Sequence, residues 1–203
     1  TERVHVAYNM LDEQAIRRRK NEPVDDIPKG EFLMVSVGSL IPRKGFERLI
    51  HICGLLKSRG YRFHLLILGK GELYEQLAEQ VIDEHLLDSV QLLGFRDNPY
   101  PYMAAADLYV CPSYVEGFST VVSEAVVLET PVVTTDCSGM REILGDSEYG
   151  LITRNTEESL FEGLRTMLDK PEVYQYYQQR VRERAPFFYM EERLKAYEEI
   201  LDQ

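Results

Sequence analysis

Two glutamates stand out in this sequence because each places a charge within a largely apolar stretch. Glu116 and Glu124 lie eight residues apart in YVEGFSTVVSEAV, residues 114–126. A buried carboxylate is costly unless it is paired or bound to a ligand. A carboxylate also accepts two hydrogen bonds and suits the vicinal hydroxyls of a ribose or another sugar. We therefore assign Glu124 to a ribose and Glu116 to a sugar, with an ion pair between Glu124 and a nearby arginine or lysine as the alternative.

The residues between these glutamates could bind a phosphate. Gly117 gives the backbone freedom to turn, and a helix that begins near Ser119 would present free amides at residues 119–121. Such amides, together with the positive end of the helix dipole, favour an anion. The sequence therefore predicts a phosphate site at the start of this helix.

A second loop could supply positive charge to the same ligand. GSLIPRKG, residues 38–45, places Arg43 and Lys44 just before another predicted helix. A cation about 4 Å from a phosphate contributes from ~1 kcal/mol in water to ~4 kcal/mol near a protein surface. Two cations could thus hold a diphosphate, and a solvated basic turn is the alternative.

A pair of glycines follows the second predicted strand. GKGE, residues 69–72, places Gly69 and Gly71 where a ligand could approach the backbone closely. The stretch lacks the third glycine of a dinucleotide fingerprint and the trailing Lys-Ser/Thr of a P-loop. A ligand-binding turn and a plain tight turn therefore both stay open.

The elements that must position these loops alternate along the chain between short apolar runs and amphipathic segments. Apolar runs of this length are typical of strands buried on both faces, and their alternation with helices implies parallel crossover connections. The chain is therefore predicted to have an α/β fold, a Rossmann-like parallel sheet of about six strands with helices on both faces. The predicted strands are residues 32–38, 62–69, 90–94, 108–113, 131–136 and 149–153.

Helices are predicted between these strands and after the last one. Asn155, with Glu158 three residues later, has the pattern of a cap for a helix that ends near Lys170. Residues 17–31 are expected to form a charged, proline-containing loop. In an open parallel sheet, ligands bind beyond the carboxyl ends of the strands, so the loops described above lie where a ligand would bind. The other predicted helices cover residues 46 to about 59, 72–85, 99–106 and 119–129, and residues 171–203 form a polar helical tail.

The composition narrows the class of protein. At 203 residues the chain favours a single domain, and its net charge of -11 argues against nucleic acid as the main partner. Three cysteines without CxxC spacing fit a reducing compartment better than a disulfide framework or a zinc site. No apolar run approaches the ~20 residues of a membrane span and no signal peptide opens the chain, so we expect a cytoplasmic location. Because Thr1 is not an initiator, we expect a trimmed piece of a longer protein.

Seven motifs occur in an order that resembles one family. They are Gly-x4-Arg-Lys-Gly at residues 38–45, LLILGKGE, LGF, AADLYVCPS, EGFSTVVSEA, PVVTTD and SGMREI. In this order they resemble the C-terminal, donor-binding domain of retaining glycosyltransferases of the GT-B fold, specifically glycosyltransferase family 4. The resemblance runs from about Val4 to the C-terminus, and residues 6–16 are similar to the segment by which that family enters this domain. It implies that residues 1–203 form a single nucleotide-sugar-binding domain and that the N-terminal acceptor domain is absent.

The resemblance also implies a role for each candidate residue. Glu116 would contact the donor sugar, Glu124 the ribose and Lys44 the diphosphate. Many members carry arginine directly after the first glycine, where this chain has Ser39. Arg43 could supply that charge, or diphosphate binding could rest mainly on Lys44. The catalytic residues would be Glu116, Lys44 and Arg43. The substrate-binding residues would be Gly38, Ser39, Gly69, Gly71, Phe95, Arg96, Gly117, Phe118, Ser119, Thr120, Val121 and Glu124, with residues 96–98 near the base.

The reaction implied by the resemblance transfers a sugar from a nucleoside diphosphate sugar, expected to be a UDP-sugar, to an acceptor hydroxyl with retention at the anomeric carbon. Cations and helix amides would stabilise the leaving diphosphate, so we expect neither a metal nor a cofactor. The acceptor would be a sugar or a lipid-linked sugar in bacterial surface polysaccharide synthesis. It would bind through the missing domain, and the whole enzyme could associate peripherally with a membrane.

The sequence was also compared with three other functions for a protein of this architecture. The two-carboxylate scheme of glycosidases fits less well, because the leaving group here needs cations rather than a proton. A nucleotide-sugar epimerase of similar architecture would convert a donor with no acceptor present. A noncatalytic nucleotide-sugar-binding module would bind the donor without converting it.

Overall fold

The computed structural model describes residues 11–192 and residue 194. Within them, six parallel strands form one sheet in the order β3-β2-β1-β4-β5-β6. The predicted six-stranded parallel sheet is therefore confirmed. The strands are β1 Phe32–Val37, β2 Phe63–Leu68, β3 Val90–Gly94, β4 Leu108–Cys111, β5 Val132–Thr135 and β6 Leu151–Thr153.

Helices connect the strands and cover both faces of the sheet. The four helices predicted between the first five strands are present, each slightly shorter than predicted. Short 3₁₀ turns span Pro42–Lys44 and Ala185–Phe188. The α-helices are α1 Glu13–Arg19, α2 Phe46–Ser58, α3 Tyr74–Asp83, α4 Tyr100–Ala105, α5 Thr120–Val127, α6 Met140–Leu144, α7 Glu157–Asp169 and α8 Pro171–Arg184.

Each face of the sheet carries its own apolar core. Along β1, Leu33 and Val35 pack into one core with α5, α6 and α8, whereas Met34 packs into the other with α2, α3 and α7. Successive side chains of a strand point to opposite faces, so a strand covered on both sides is apolar at nearly every position. This explains why β1 reads as a continuous apolar run.

The strand order reverses between β1 and β4. The chain runs from β1 outward through β2 to β3, and then returns to β4 on the other side of β1. In this pairing Met34 lies beside Leu108 and Val35 beside Tyr109. Because α2 packs on one face and α5 on the other, the loops leaving β1 and β4 diverge and open a cleft between them.

The predicted cap at Asn155 is wrong by one residue. The side chain of Thr156 accepts a hydrogen bond from the amide of Ser159 at 3.2 Å, and α7 begins at Glu157. The side chain of Asn155 instead accepts a hydrogen bond from Arg48, a tertiary contact that a local pattern does not reveal. Either adjacent polar residue could cap α7, and the tertiary contact of Asn155 with Arg48 leaves the cap to Thr156.

The predicted loop at residues 17–31 is partly wrong, because residues 17–19 belong to α1. Asp12 caps this helix by accepting a hydrogen bond from the amide of Ala15 at 2.8 Å. Ile16 anchors it, since its side chain is 2% exposed within the core that contains α5. One cap and one buried apolar residue thus help to hold this short charged helix against the domain.

Several predictions concern residues outside the described range. They are residues 6–10 of the segment that resembles the family's entry into this domain, and residues 193 and 195–203 of the predicted helical tail. Where the tail is described, Pro171–Arg184 is helical as predicted. Among the described residues, no helix has the length and apolar character needed to cross a bilayer.

Candidate functional site

A cavity of about 300 Å³ opens where β1, β2 and β3 end, against the first turns of α5. It lies at the reversal of strand order, where open parallel sheets bind ligands. Loops that are distant in sequence come together there because their strands are neighbours in the sheet. Seven residues assigned to a substrate from the sequence line this cavity, namely Gly38, Ser39, Gly69, Phe95, Arg96, Val121 and Glu124.

Glu124 borders this cavity as a half-buried carboxylate. Burial raises the pKa of Glu124, and a hydrogen bond from the hydroxyl of Tyr100 to Oε1, 3.0 Å long, partly opposes this shift. Burial and the neighbouring Glu124 raise the pKa of Tyr100 to about 12, so its hydroxyl stays protonated and can donate at neutral pH. In the described part of the chain the partner of Glu124 is this neutral hydroxyl, not the arginine or lysine of the alternative interpretation.

Glu116 forms the centre of a charged group in a narrow recess beside the cavity. Its Oε1 accepts hydrogen bonds from Lys44 Nζ at 2.5 Å and from Ser113 Oγ at 2.6 Å. Arg43 Nη1 lies 3.8 Å from Oε2. The side chains of Glu116 and Lys44 are 7% and 17% exposed, whereas that of Arg43 is 53% exposed. The structure thus brings together the three residues predicted to be catalytic, with two cations around one carboxylate.

The recess and the cavity form neighbouring parts of one cleft. Val37, the last residue of β1, borders both. The recess also contains Ser119, which caps α5 by accepting a hydrogen bond from the amide of Val122 at 3.4 Å. This confirms the predicted helix start. The first amides of α5 lie at this end of the helix, and they lack intrahelical acceptors by geometry.

The loop that carries Glu116 is fastened to the loop that carries Lys44. The carbonyl of Arg43 accepts hydrogen bonds from the amides of Tyr114 and Val115, at 2.8 and 3.4 Å. The guanidinium of Arg43 in turn donates to the carbonyl of Val115 at 3.4 Å. Residues 72 positions apart in the sequence therefore form a single small unit.

Arg48, which the sequence interpretation did not include, is buried beneath this unit. It is 3% exposed, and its guanidinium donates to the carbonyl of Pro112 at 2.7 Å and to Asn155 Oδ1 at 2.9 Å. The same guanidinium lies 3.8 Å from the centre of the Tyr114 ring and 3.4 Å from Thr135 Oγ1. Burial lowers the pKa of Arg48. Helical periodicity gave no signal of this burial, because at ~100° per residue Arg48 lies about 160° around α2 from Phe46 and Ile50, where a solvent-facing arginine is expected.

Arg96 lines the cavity, but its charge is already paired. Its Nη2 donates to Asp26 Oδ2 at 2.9 Å, and its Nε donates to the hydroxyl of Tyr102 at 3.2 Å. That hydroxyl donates to Asp26 Oδ1 at 2.7 Å, which lowers the pKa of the Asp26 carboxyl. Arg96 therefore ties the loop after β3 to the segment between α1 and β1. Lys70 also lines the cavity, and its ammonium lies 4.8 Å from the centre of the Phe95 ring.

The same loop is held at two further points. Arg19 Nη2 donates to the carboxylate of Asp97 at 2.9 Å and to its carbonyl at 3.1 Å. Asn98 Nδ2 donates to the carbonyl of Arg19 at 2.9 Å and to Glu22 Oε2 at 2.7 Å. Residues 19–26, which we call the strap, therefore fix the outer side of a loop whose inner side lines the cavity.

Two glycines are needed for close backbone approach. A Cβ on Gly69 would lie 1.8 Å from the carbonyl oxygen of Gly38, so the loops after β1 and β2 meet without room for a side chain. A Cβ on Gly71 would lie 2.2 Å from the carbonyl oxygen of Leu40. Gly71 lines neither part of the cleft, and its close approach to Leu40 gives it a packing role, while its predicted substrate contact stays a prediction.

Three other predicted residues flank the cleft without lining it. Gly117, Phe118 and Thr120 lie between the two glutamates, outside both the cavity and the recess. Gly139 packs against this stretch with a positive φ of 80°. A Cβ added to Gly139 would lie only 2.6 Å from the carbonyl oxygen of Gly117. Among the described residues, no group of three histidine, cysteine, aspartate or glutamate side chains is arranged to hold a metal ion.

The fold and the cleft define a class, a Rossmann-like α/β domain with an open site at the reversal of its strand order. Residues 17–184 match the family model described as Glycosyl transferases group 1, and the chain belongs to this family. The glycosyltransferase interpretation made from the motifs is therefore confirmed at the level of the family. The match favours that interpretation over the epimerase alternative.

Named relatives and solved structures agree with this family. The chain is 36% identical over 185 residues to the N-acetylgalactosamine-N,N'-diacetylbacillosaminyl-diphospho-undecaprenol 4-alpha-N-acetylgalactosaminyltransferase of Campylobacter jejuni, covering 90% of this chain and 49% of that protein. It is 32% identical over 127 residues to the lipopolysaccharide core biosynthesis glycosyltransferase LpsE of Rhizobium meliloti, covering 63% of this chain and 36% of that protein. The chain thus spans about half or less of these relatives.

The crystal structure of Anabaena Alr3699/HepE in complex with UDP has the same fold. Its TM-score is 0.79 at 22% identity, and the alignment covers 98% of this chain and 57% of that chain. At this level of identity the likeness shows the fold alone. It supports the interpretation of the sheet and its helices as one half of a glycosyltransferase fold.

Proposed function

We propose that this chain is the domain that binds the nucleotide-sugar donor of a glycosyltransferase. The whole enzyme would transfer a sugar from a nucleoside diphosphate sugar, with UDP as the nucleotide, to an acceptor hydroxyl with retention at the anomeric carbon. The observation that carries the proposal is the cleft itself. One half-buried glutamate, Glu124, lines its larger part, and the Glu116–Lys44 group lines the adjoining recess.

The two parts of the cleft suit the two ends of such a donor. In the cavity, Glu124 would accept hydrogen bonds from the ribose hydroxyls, and the loop at residues 95–98 would lie beside the base. In the recess, the start of α5 and Lys44 would meet the diphosphate, and Glu116 would meet the sugar. The cavity of about 300 Å³ is at the lower end of the range for small-molecule sites, which fits a nucleoside. The recess has a volume of about 10 Å³, so it would have to open to admit the diphosphate.

The chemistry follows from where the positive charge lies. As the bond between the anomeric carbon and the diphosphate oxygen breaks, negative charge builds on the leaving diphosphate. Lys44, Arg43 and the first amides of α5 would stabilise that charge. The acceptor oxygen forms the new bond to the anomeric carbon, and the proton of its hydroxyl passes to the leaving diphosphate. Neither a metal nor a cofactor is part of this proposal, because the nucleotide sugar is itself the substrate.

We propose that the acceptor binds outside this chain, which spans about half or less of the relatives named above. The relatives act, by their names, on a lipid-diphosphate-linked sugar and in lipopolysaccharide core synthesis. We therefore propose a sugar or lipid-linked sugar in bacterial surface polysaccharide synthesis as the acceptor. It would bind to a second, N-terminal domain of a cytoplasmic enzyme that meets the membrane at its surface.

Titration calorimetry with UDP, GDP and ADP tests the proposed donor site. We expect saturable binding of UDP, weakened about tenfold or more by Glu124→Ala and by Lys44→Ala, since each removes a charge-assisted contact. Matched controls are Glu162→Ala and Lys57→Ala, which remove charges of the same kind from surface ion pairs outside the cleft. The absence of nucleotide binding by the folded wild-type chain would overturn the proposal. Binding of the donor by the full-length protein without transfer to any acceptor would instead favour a noncatalytic module.

A further inference from the structure

Lys44 is already occupied by Glu116 in the arrangement described above. Its ammonium lies 2.5 Å from Glu116 Oε1, although the proposed function requires it to bind a diphosphate. We propose that this ion pair makes the site discriminate between a nucleotide sugar and the bare nucleoside diphosphate left after transfer. The inference rests on the proposed function, since it concerns the same ligand and the same cleft.

The first step of the argument is competition for one cation. A diphosphate that approaches Lys44 brings negative charge close to the carboxylate of Glu116, and the two anions repel each other in a site shielded from water. The lysine side chain is flexible and its ammonium is a point charge, so it can turn from the carboxylate to the phosphate. Arg43 is too exposed to compensate fully, with a side chain that is 53% exposed and 3.8 Å from Glu116. Binding of a diphosphate therefore displaces Lys44 from Glu116.

The second step is the state of Glu116 after that displacement. Its side chain is 7% exposed, and among the described residues its remaining neighbours are Ser113 Oγ at 2.6 Å and the half-exposed guanidinium of Arg43 at 3.8 Å. A buried carboxylate that loses its partner is strongly destabilising unless new donors replace it. The hydroxyls of a donor sugar are such donors, and a bare nucleoside diphosphate has none in this position.

The consequence is a difference in affinity between substrate and product. The nucleotide sugar breaks the ion pair and replaces the lost hydrogen bonds of Glu116, whereas the nucleoside diphosphate only breaks the pair. Product therefore binds more weakly than its contacts with the nucleotide pocket alone would predict. Glu116 in this view acts twice, as a sugar contact and as an internal competitor of the diphosphate.

The test is the affinity of the chain for UDP before and after Glu116→Gln. The glutamine keeps the size of the side chain and an acceptor for Ser113, but it removes the charge that holds Lys44. We expect UDP to bind Glu116→Gln about tenfold more tightly than the wild type, as measured by calorimetry. UDP-glucose and UDP-N-acetylgalactosamine serve as donor probes, and the better-binding one should lose its advantage over UDP. A residue that merely contacts the sugar would leave the affinity for UDP unchanged, which would overturn the inference.

A double-mutant cycle separates competition for Lys44 from general repulsion. In a Lys44→Met background, Glu116→Gln should tighten UDP binding less than it does in the wild-type background, because repulsion between the two anions is relieved but no cation is released. A gain of the same size without Lys44 would overturn the inference in favour of long-range repulsion. Glu124→Gln, at the other carboxylate of the cleft, is the matched control and should weaken UDP binding.

A test of folding and a second substitution at Glu116 separate failure of the ion-pair inference from failure of the proposed function. Thermal unfolding of each variant shows whether it is folded, and Glu116→Asp replaces Glu116→Gln if the glutamine variant is not. The shorter side chain withdraws the carboxylate from Lys44 and should also tighten UDP binding. A folded wild-type chain that binds neither UDP nor a UDP-sugar refutes the proposed function itself. Wild-type binding that Glu116→Gln and Glu116→Asp leave unchanged refutes only the ion-pair inference.

Discussion

Arg48 is a single buried charge beneath the loop that carries Glu116, and its loss should destabilise the protein. Arg48→Met would leave the carbonyl of Pro112 and the side chain of Asn155 without their donor. We expect the free energy of unfolding to fall by about 2–4 kcal/mol, because buried polar groups without partners are costly. Urea denaturation measures this change.

Arg165→Met provides the control for this substitution. Arg165 lies on the exposed side of α7, where it pairs with Glu162 at 2.6 Å. Solvent screening makes such surface pairs weak, so this variant should unfold almost as the wild type does. Arg48→Lys adds a second comparison, because lysine keeps the charge but lacks the planar fork that reaches several acceptors. Equal losses in Arg48→Met and Arg165→Met would contradict the assigned role of Arg48.

The raised pKa of Glu124 predicts how stability depends on pH. Burial favours the neutral carboxyl, so the folded state holds this proton more tightly than the unfolded state, whose value is near 4.5. The contribution of this group to stability is therefore fully present below pH 4.5 and is lost as the pH rises through the raised value of the folded state. Glutamine does not ionise, so the stability of Glu124→Gln lacks this pH-dependent decrease.

Chemical denaturation of both proteins across this pH range checks the prediction. The stability of the wild type relative to Glu124→Gln should decline with rising pH, and the difference should be constant at higher pH. In Tyr100→Phe, which removes the donor to Glu124, the pKa of Glu124 should rise further, as nuclear magnetic resonance titration would show. A difference between wild type and Glu124→Gln that grows in the opposite direction would show that Glu124 gains a charged partner when folded.

At the level of elements, the strap at residues 19–26 should control the order of the loop at residues 95–98. Asn98→Ala removes the hydrogen bonds to the carbonyl of Arg19 and to Glu22, and it also removes the acceptor of the Tyr100 amide. We expect faster amide hydrogen exchange at residues 95–98 and weaker nucleotide binding, because the loop would have to be ordered on binding. Ser58→Ala, which removes a local hydrogen bond at the exposed C-terminal end of α2, is the control. Unchanged exchange in Asn98→Ala would mean that the other contacts of the strap suffice.

Two glycines of the cleft should respond differently to the same substitution. Gly69→Ala would place a Cβ against the backbone of Gly38, so we expect a loss of about 2–4 kcal/mol in stability as the loops separate. Gly117 has no atom within 4 Å of its Cβ position, so Gly117→Ala should change stability by less than about 1 kcal/mol. Weaker binding of a UDP-sugar to this stable variant would indicate that the space at Gly117 serves the ligand. Equal destabilisation by the two substitutions would contradict this distinction.

At the level of the whole molecule, the cleft is built from loops of β1, β2, β3 and α5, so ligand binding should stabilise the entire sheet. At a concentration about 100-fold above its dissociation constant, UDP should raise the midpoint of thermal unfolding by about 5–10 °C. Differential scanning calorimetry measures this shift, with Glu124→Ala as the control that binds UDP poorly. If the same UDP concentration raised the midpoint of Glu124→Ala equally, the stabilisation would not come from this cleft.

Much of the fold could be predicted because its signals are local. Apolar runs identified all six strands, and their alternation with helical segments indicated a parallel sheet covered on both faces. Ser119 could be recognised as the start of α5 because capping depends on residues within one turn. Glu116 and Glu124 could be selected because charge within an apolar stretch is visible in the sequence itself.

Only the tertiary structure decided which of these residues touch. The pairing of Lys44 with Glu116, the contacts of Arg48 and the attachment of Arg96 to Asp26 join residues that lie at least 64 positions apart. Such contacts depend on the order of the strands, which reverses between β1 and β4 and leaves no local trace in the sequence. The types and local conformations of the residues followed from short-range physical chemistry, whereas the choice of partners required the complete packing of the sheet.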